Sequence, residues 1–225
     1  SDWYKRQANR VAPGLELHVS TQASTTNWHT VQMWKELGAT RVVAAREVSL
    51  ADLKEMKDHV DIEIESFVHG SMCISYSGRC LLSNYMTGNR DANRGQCSQS
   101  CRWKYSLVES NRPGEYYPIE EDEHGTYIFN SKDLCLIHRI PDLYEAGIDS
   151  LKIEGRMKSV HYCATVAKVY RTAIDTYLKE GKDWYVRPEW IAELEKISHR
   201  PYTDGFAEGR PDETAQNYGK STNTQ

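Results

Sequence analysis

The sequence has no apolar run approaching the length of a membrane-spanning helix, which excludes a helical span. No secretory segment is recognisable. The chain opens on serine and the polar, helix-like stretch Trp3-Tyr4-Lys5-Arg6-Gln7, which reads as a processed or excised start. Excess positive charge is also missing. Lys and Arg number 28 against 32 Asp and Glu, a formal net charge of −4, which disfavours broad non-specific nucleic-acid binding but not a local basic patch. Two hydrolase signatures are absent, the H-E-x-x-H zinc helix and the G-x-S-x-G nucleophile turn. No repeat is visible beyond an alternation of strand and helix patterns.

What is there is enough for one domain. The chain has 225 residues, and 39% hydrophobic with 27% charged residues is the composition of a folded rather than a disordered protein. Leu15 to Ser20 reads as a strand, and Asn27 to Leu37 as a helix capped by Asn27 and stopped by Gly38. Thr40 to Ala45 is the next predicted strand. Ser49 caps a helix running to about Asp58, and Ile62 to Val68 is a third strand. A long excursion follows, from about residue 70 to 125. Tyr127 to Phe129 is a fourth strand, Ile140 to Ala146 a short helix, Ser150 to Ile153 a fifth strand, and Ser159 to Glu180 a long helix.

Strands alternating with helices predict parallel βαβ connections. The economical reading is a (β/α) TIM-type barrel, incomplete because its N-terminal strands are lacking. An open α/β sheet is the alternative. The partial barrel would occupy residues 1–205, with residues 206–225 as a polar tail.

Six cysteines stand at positions 73, 80, 97, 101, 135 and 163, four of them inside the excursion. Without an export signal, metal binding is a better expectation than disulfides. Gly70, Gly78, Gly88 and Gly95 permit tight turns between them. Arg79, Arg90, Arg94, Arg102 and Lys104 face only Asp91, and this positive field is expected to lower the thiol pKa values.

The run E-S-F-V-H-G-S-M-C-I-S-Y-S-G-R-C-L-L-S, from Glu65 to Ser83, resembles the signature of peptidase family U-32. N-R-G-Q-C-S-Q-S-C-R-W-K-Y, S-K-D-L-C and L-K-I-E-G-R-M-K-S resemble the same family in matching order, and the likeness covers about Leu15 to Phe206. The resemblance implies a four-cysteine set of Cys73, Cys80, Cys97 and Cys135 holding a 4Fe-4S cluster, whose ligands must be thiolates. Cys101 could replace one of them. A four-thiolate zinc site and buried free thiols are the competing readings. Cys163, inside a helix, reads as packing.

Active sites of such barrels lie at the C-terminal strand ends. The ends here offer Gln22 after Ser20 and Thr21, Glu47 after Arg46, His69, Ser131 beside Asn130, Lys132 and Asp133, then Glu154, Arg156 and Lys158. These residues supply carboxylates, an imidazole, a hydroxyl and cations suited to an anionic or carbonyl-bearing small substrate. Arg156 and Lys158 would clamp a carboxylate, oriented by Glu154. Each has a plainer alternative. Lys152 and Glu154 could form an interior salt bridge, Glu47 a helix N-terminal charge, and His69 a donor to a cluster sulfur or a core histidine.

The resemblance implies three functions. One is a cytoplasmic iron–sulfur enzyme hydroxylating tRNA uridine to 5-hydroxyuridine without oxygen, with prephenate as co-substrate. Another is the collagenase-like peptidase of the family's legacy name, served by a Cys73/His69 dyad. The third is a non-catalytic subunit paired with a homologous chain, or a homodimer. Trp103 and Tyr105 among the basic residues would suit an RNA backbone and a stacked base; service to the cluster alone is the alternative for those arginines.

Overall fold

The computed structural model describes residues 7–8, 10–73, 75–103 and 131–210, with the backbone of 106–107 and 117–118. Its frame is a run of parallel strands. β1 (His18–Val19) pairs with β2 (Arg41–Val43), β2 with β3 (Glu63–Ser71), and β3 with β7 (Ser150–Glu154). Between β3 and β7 lie the backbone pair β4 (Ser106–Leu107) with β5 (Tyr117–Pro118), and β6 (Asp133–Cys135). β6 runs antiparallel to the last residues of β3, and β8 (Tyr202–Thr203) lies parallel to β6. The fold is therefore mixed α/β with a parallel-rich sheet and flanking helices.

The helices form where apolar spacing and caps coincide. In α1 (Trp28–Glu36) the Asn27 side-chain Oδ1 accepts the Thr30 N–H at 3.0 Å, and Val31 and Trp34 turn inward. In α2 (Leu50–His59) the Ser49 and Asp52 side chains accept each other's backbone N–H groups, while Leu53 and Met56 are buried. Both caps fall where the spacing predicts them. The long α5 (Val160–Glu180) starts at Ser159, whose hydroxyl accepts the Tyr162 N–H. It buries Tyr162, Val166, Val169, Tyr170 and Ala173, one face at helical period. α4 (Ile140–Glu145) and α6 (Pro188–Glu195) complete that side.

Two apolar clusters result. One lies between α1, α2 and the first strands, around Val31, Met56 and Ile64; the other lies between β3, β6 and α4–α6, around Val68, Ile137, Leu143 and Leu194.

The structure departs from the sequence reading in several places. The first two strands are shorter than predicted and the third runs on to Ser71. The expected strand Tyr127–Phe129 lies outside the described residues. The segment after it does not end a parallel strand but forms the antiparallel β6. Phe206 packs on the core, and the buried Ala207 offers its carbonyl to the Leu50 N–H at 3.0 Å, so the packed body runs past residue 205. Among the described residues no helix is long and apolar enough to cross a membrane.

Candidate functional site

The C-terminal ends of all four parallel strands open on one cleft of about 210 Å³. Ser20, Thr21 and Gln22 come from β1, Arg46 from β2, Ser71 to Cys73 from β3, and Glu154 and Arg156 from β7. This is where open and closed parallel sheets alike place ligands. The opposite wall is the cysteine segment, contributing Cys73, Cys80, Cys97 and Cys101.

That segment is held down by specific ties. The Glu47 carboxylate accepts the Ser77 N–H at 3.0 Å and the Ser77 hydroxyl at 2.9 Å, while Ser77 Oγ itself accepts the Arg46 N–H at 3.1 Å. Gly78 has φ of +77°, and a Cβ there would meet the Gln22 carbonyl oxygen at 2.2 Å, so only glycine lets the turn press so close to β1. Further on, α3 (Leu82–Thr87) packs over the turn Ser100–Arg102. Ser83 and Ser98 hydroxyls meet at 3.0 Å, and Arg90 donates to the Gln96 carbonyl at 3.1 Å. Arg102 then crosses to the sheet. It donates to the Asp133 carboxylate at 2.8 Å and to the Met72 carbonyl at 2.9 Å.

The basic loop does not lower the thiol pKa of Cys73 or Cys101 as the sequence led one to expect. Burial pushes the Cys73 thiol up, and the Cys101 thiol up to about 11; their neighbouring arginines only partly offset it. The arginines are spent elsewhere: Arg102 on Asp133, Arg94 on Asp91, Arg90 on backbone carbonyls. Two sulfurs nevertheless receive backbone donors, Cys97 Sγ from the Gln99 N–H at 3.3 Å and Cys73 from Ser75. Gln99 sits at φ of 54°, left-handed for a non-glycine residue, and so turns its N–H onto the sulfur.

The family model for peptidase family U32 matches residues 5–217. The chain belongs to that family. It is 52% identical over 211 residues to the tRNA hydroxylation protein P1 of Bacillus subtilis, across 94% of this chain and 50% of that one. It is 41% identical to the tRNA hydroxylation protein P of Escherichia coli, across 92% and 53%. It is 34% identical to a 23S rRNA 5-hydroxycytidine synthase of Escherichia coli, across 88% and 30%. The chain thus spans about half the length, or less, of these curated relatives. No solved structure matches it.

Within this U32 chain the expected site residues divide. Gln22, Glu154 and Arg156 line the cleft. Glu47 does not line it; its carboxylate, two residues before the Ser49 cap of α2, latches onto Ser77. The ion pairs found are not Lys152 with Glu154: Lys152 meets Glu65 at 2.6 Å, and Glu154 meets Arg46 at 3.3 Å.

His69, Lys158 and Ser131 lie away from the cleft lining. The β3–β7 register shifts between Phe67 and His69, which breaks the side-chain alternation there. His69 is fully buried among Tyr162, Tyr170 and Tyr202, and desolvation lowers its pKa to about 4. Lys158 donates to the Ser198 carbonyl at 2.7 Å, and the Ser131 carbonyl accepts from Arg200 at 3.3 Å.

Cys73, Cys80 and Cys97 share the cleft wall with Cys101, whereas Cys135 does not line the cleft. Cys135 lies buried on β6 with its sulfur 3.9 Å from the Tyr170 hydroxyl. Cys163 packs against Gly155. The residue that sequence reasoning undervalued is Asp133. It is fully buried, holds Arg102 and accepts the Arg200 N–H at 3.2 Å. Its only signal was an acid inside an otherwise strand-like run.

Proposed function

We propose that this chain is the cysteine-bearing part of an iron–sulfur RNA hydroxylase that forms 5-hydroxyuridine in tRNA without oxygen, with prephenate as co-substrate, in the cytoplasm. The observation that carries the reading is the gathering of four thiols, from the end of β3 and from three points along the cysteine segment, around the cleft at the strand ends. The names of the relatives, tRNA hydroxylation proteins and an rRNA hydroxycytidine synthase, supply the reaction class. The parallel strand ends suit a (β/α) barrel, which we take to be the complete domain's form.

Cys73, Cys80, Cys97 and Cys101 would hold a 4Fe-4S cluster, which when bound supplies one-electron chemistry. Among the described residues no three His, Cys, Asp or Glu side chains are grouped to hold a single metal ion. A lone zinc requires its four sulfurs within roughly 3.8 Å of each other. A cluster spreads its ligands over separate irons, so thiols set around a cleft suit it better. The chain's own groups then bind and orient. Gln22 and the Glu154–Arg156 pair face the cleft from the floor, where Arg156 meets an anionic co-substrate. Exposed Tyr76, Tyr85 and Trp103 rise from the same cysteine segment beside exposed Arg79 and Arg94, a surface suited to stacked single-stranded bases and phosphates.

The deciding experiment is an anaerobic iron and sulfide assay with an absorption spectrum, joined to nucleoside analysis of tRNA from a deletion strain. Bound iron and sulfide with loss of 5-hydroxyuridine is expected; a colourless, iron-free protein prepared without oxygen would sink the reading. Serine at Cys73, Cys80 or Cys97 should abolish iron uptake. The cleft geometry makes Cys101→Ser the fourth loss and leaves Cys135→Ser loaded. The reverse outcome would restore the set the sequence resemblance implies. The peptidase reading has no dyad to use, since His69 lies buried away from the cleft.

A further inference from the structure

Arg46 is a buried cation with one hydrogen-bond donor unmet. Its side chain is 11% exposed and lies over the Phe67 ring, with the guanidinium carbon 3.9 Å from the ring centroid. One carboxylate meets it, Glu154 at 3.3 Å, and that carboxylate also accepts the Arg156 N–H at 3.0 Å. Glu47, next in sequence, is turned to Ser77. The Arg46 Nε is buried with no hydrogen-bond partner among the described residues. A buried donor left unmade is costly, and a buried charge wants an opposite one. The same side chain lines the cleft, and Cys73 and Cys97 are among the groups acting on it electrostatically.

We propose that Arg46 is the positioning cation of the thiol cleft, braced by Glu154 and Phe67 so that its free N–H faces the sulfurs of a bound cluster and raises that centre's reduction potential. This rests on the cluster reading above. A cluster core held by four thiolates is a net anion, and reduction adds one further negative charge without forming or breaking a bond. A fixed cation in a low-dielectric wall therefore favours the reduced form, and a fixed carboxylate behind it opposes that effect.

The test uses the whole chain, loaded anaerobically with iron and sulfide, and reads metal content and midpoint potential. Arg46→Gln should bind iron but show a lower potential than the parent, and Arg46→Lys should fall between them. Glu154→Gln should move the potential the opposite way. It guards against the case in which Arg46→Gln fails to fold. Unchanged potentials in a loaded Arg46→Gln protein, or a shift in the same direction for both neutral variants, would overturn the role of Arg46 while leaving the cluster standing. A parent chain that binds no iron would overturn the cluster reading, and this one with it.

Discussion

At the scale of single residues, burial decides more than charge or sequence position. His69 lies within the motif that leads to Cys73 and looked available for chemistry, yet it sits in a ring of tyrosines with no exposure. Desolvation depresses its pKa from 6.5 to about 4. Above pH 6.5 the residue is neutral folded or unfolded. As pH falls from about 6.5 to about 4, the unfolded chain takes up a proton that the folded chain refuses, so stability falls across that window by on the order of 3 kcal/mol. Denaturant unfolding at pH 7 and pH 4.5 should show this loss, and His69→Gln should show a shallower one. Equal slopes in the two proteins would mean that His69 protonates in place. Asp133 makes the complementary case. Replacing it with Ala leaves the Arg102 guanidinium without its carboxylate and the Arg200 backbone N–H without its acceptor, and should cost about 3–5 kcal/mol in the same measurement. A loss below 1 kcal/mol would show that the two arginines find other partners.

At the scale of elements, α1, α2, α4 and α5 were legible in the sequence, whereas α3, α6 and the course of the cysteine segment were not. Asn27 and Ser49 cap helices as their side chains and spacing predicted, and Ser159 caps the helix predicted to start there, because a cap is a local hydrogen bond that needs no knowledge of the rest of the chain. The antiparallel β6 was invisible because its three residues gain strand geometry only by pairing with the end of β3. The gathering of thiols was legible as a motif, but the company each thiol keeps is not a local property. Cys101 enters the cleft wall because α3 packs on its turn, and Cys135 stays out because β6 turns it to Tyr170. Gly78 carries a prediction at this scale. Gly78→Ala puts a methyl group against the Gln22 carbonyl and demands a left-handed alanine, so the turn between Cys73 and Cys80 must move. The expected outcome is a loss of about 1–3 kcal/mol with reduced iron uptake. Gly88→Ala is the control for the backbone cost alone, since it shares the positive φ but its added methyl meets open space. If the two variants bind iron equally well, close approach at Gly78 has no part in shaping the site.

At the scale of the whole molecule, the cysteine segment and the sheet are one mechanical unit. Glu47 ties the segment's first turn to the end of β2, Gly78 seats it against β1, and Arg102 ties its last turn to β6 and to Met72. A ligand that draws the four thiols together therefore stabilises the fold through every one of these ties, and not the loop alone. Anything that binds the folded state and not the unfolded one adds stability by mass action, roughly 2.7 kcal/mol at a hundredfold excess over Kd. For a chain of this size that corresponds to a rise of roughly 5–10 °C in Tm. Thermal unfolding without oxygen should show that rise on loading with iron and sulfide, and its reversal on chelation. Cys97→Ser should show neither, because it removes the sulfur onto which the Gln99 N–H is turned. Unfolding followed separately by tryptophan fluorescence and by far-ultraviolet dichroism should shift together, since Trp34 and Trp190 report the two cores while dichroism reports the helices. A loaded protein whose cluster is lost in a separate transition below an unchanged Tm would mean that the ties do not couple, and that the cysteine segment folds around its metal apart from the sheet.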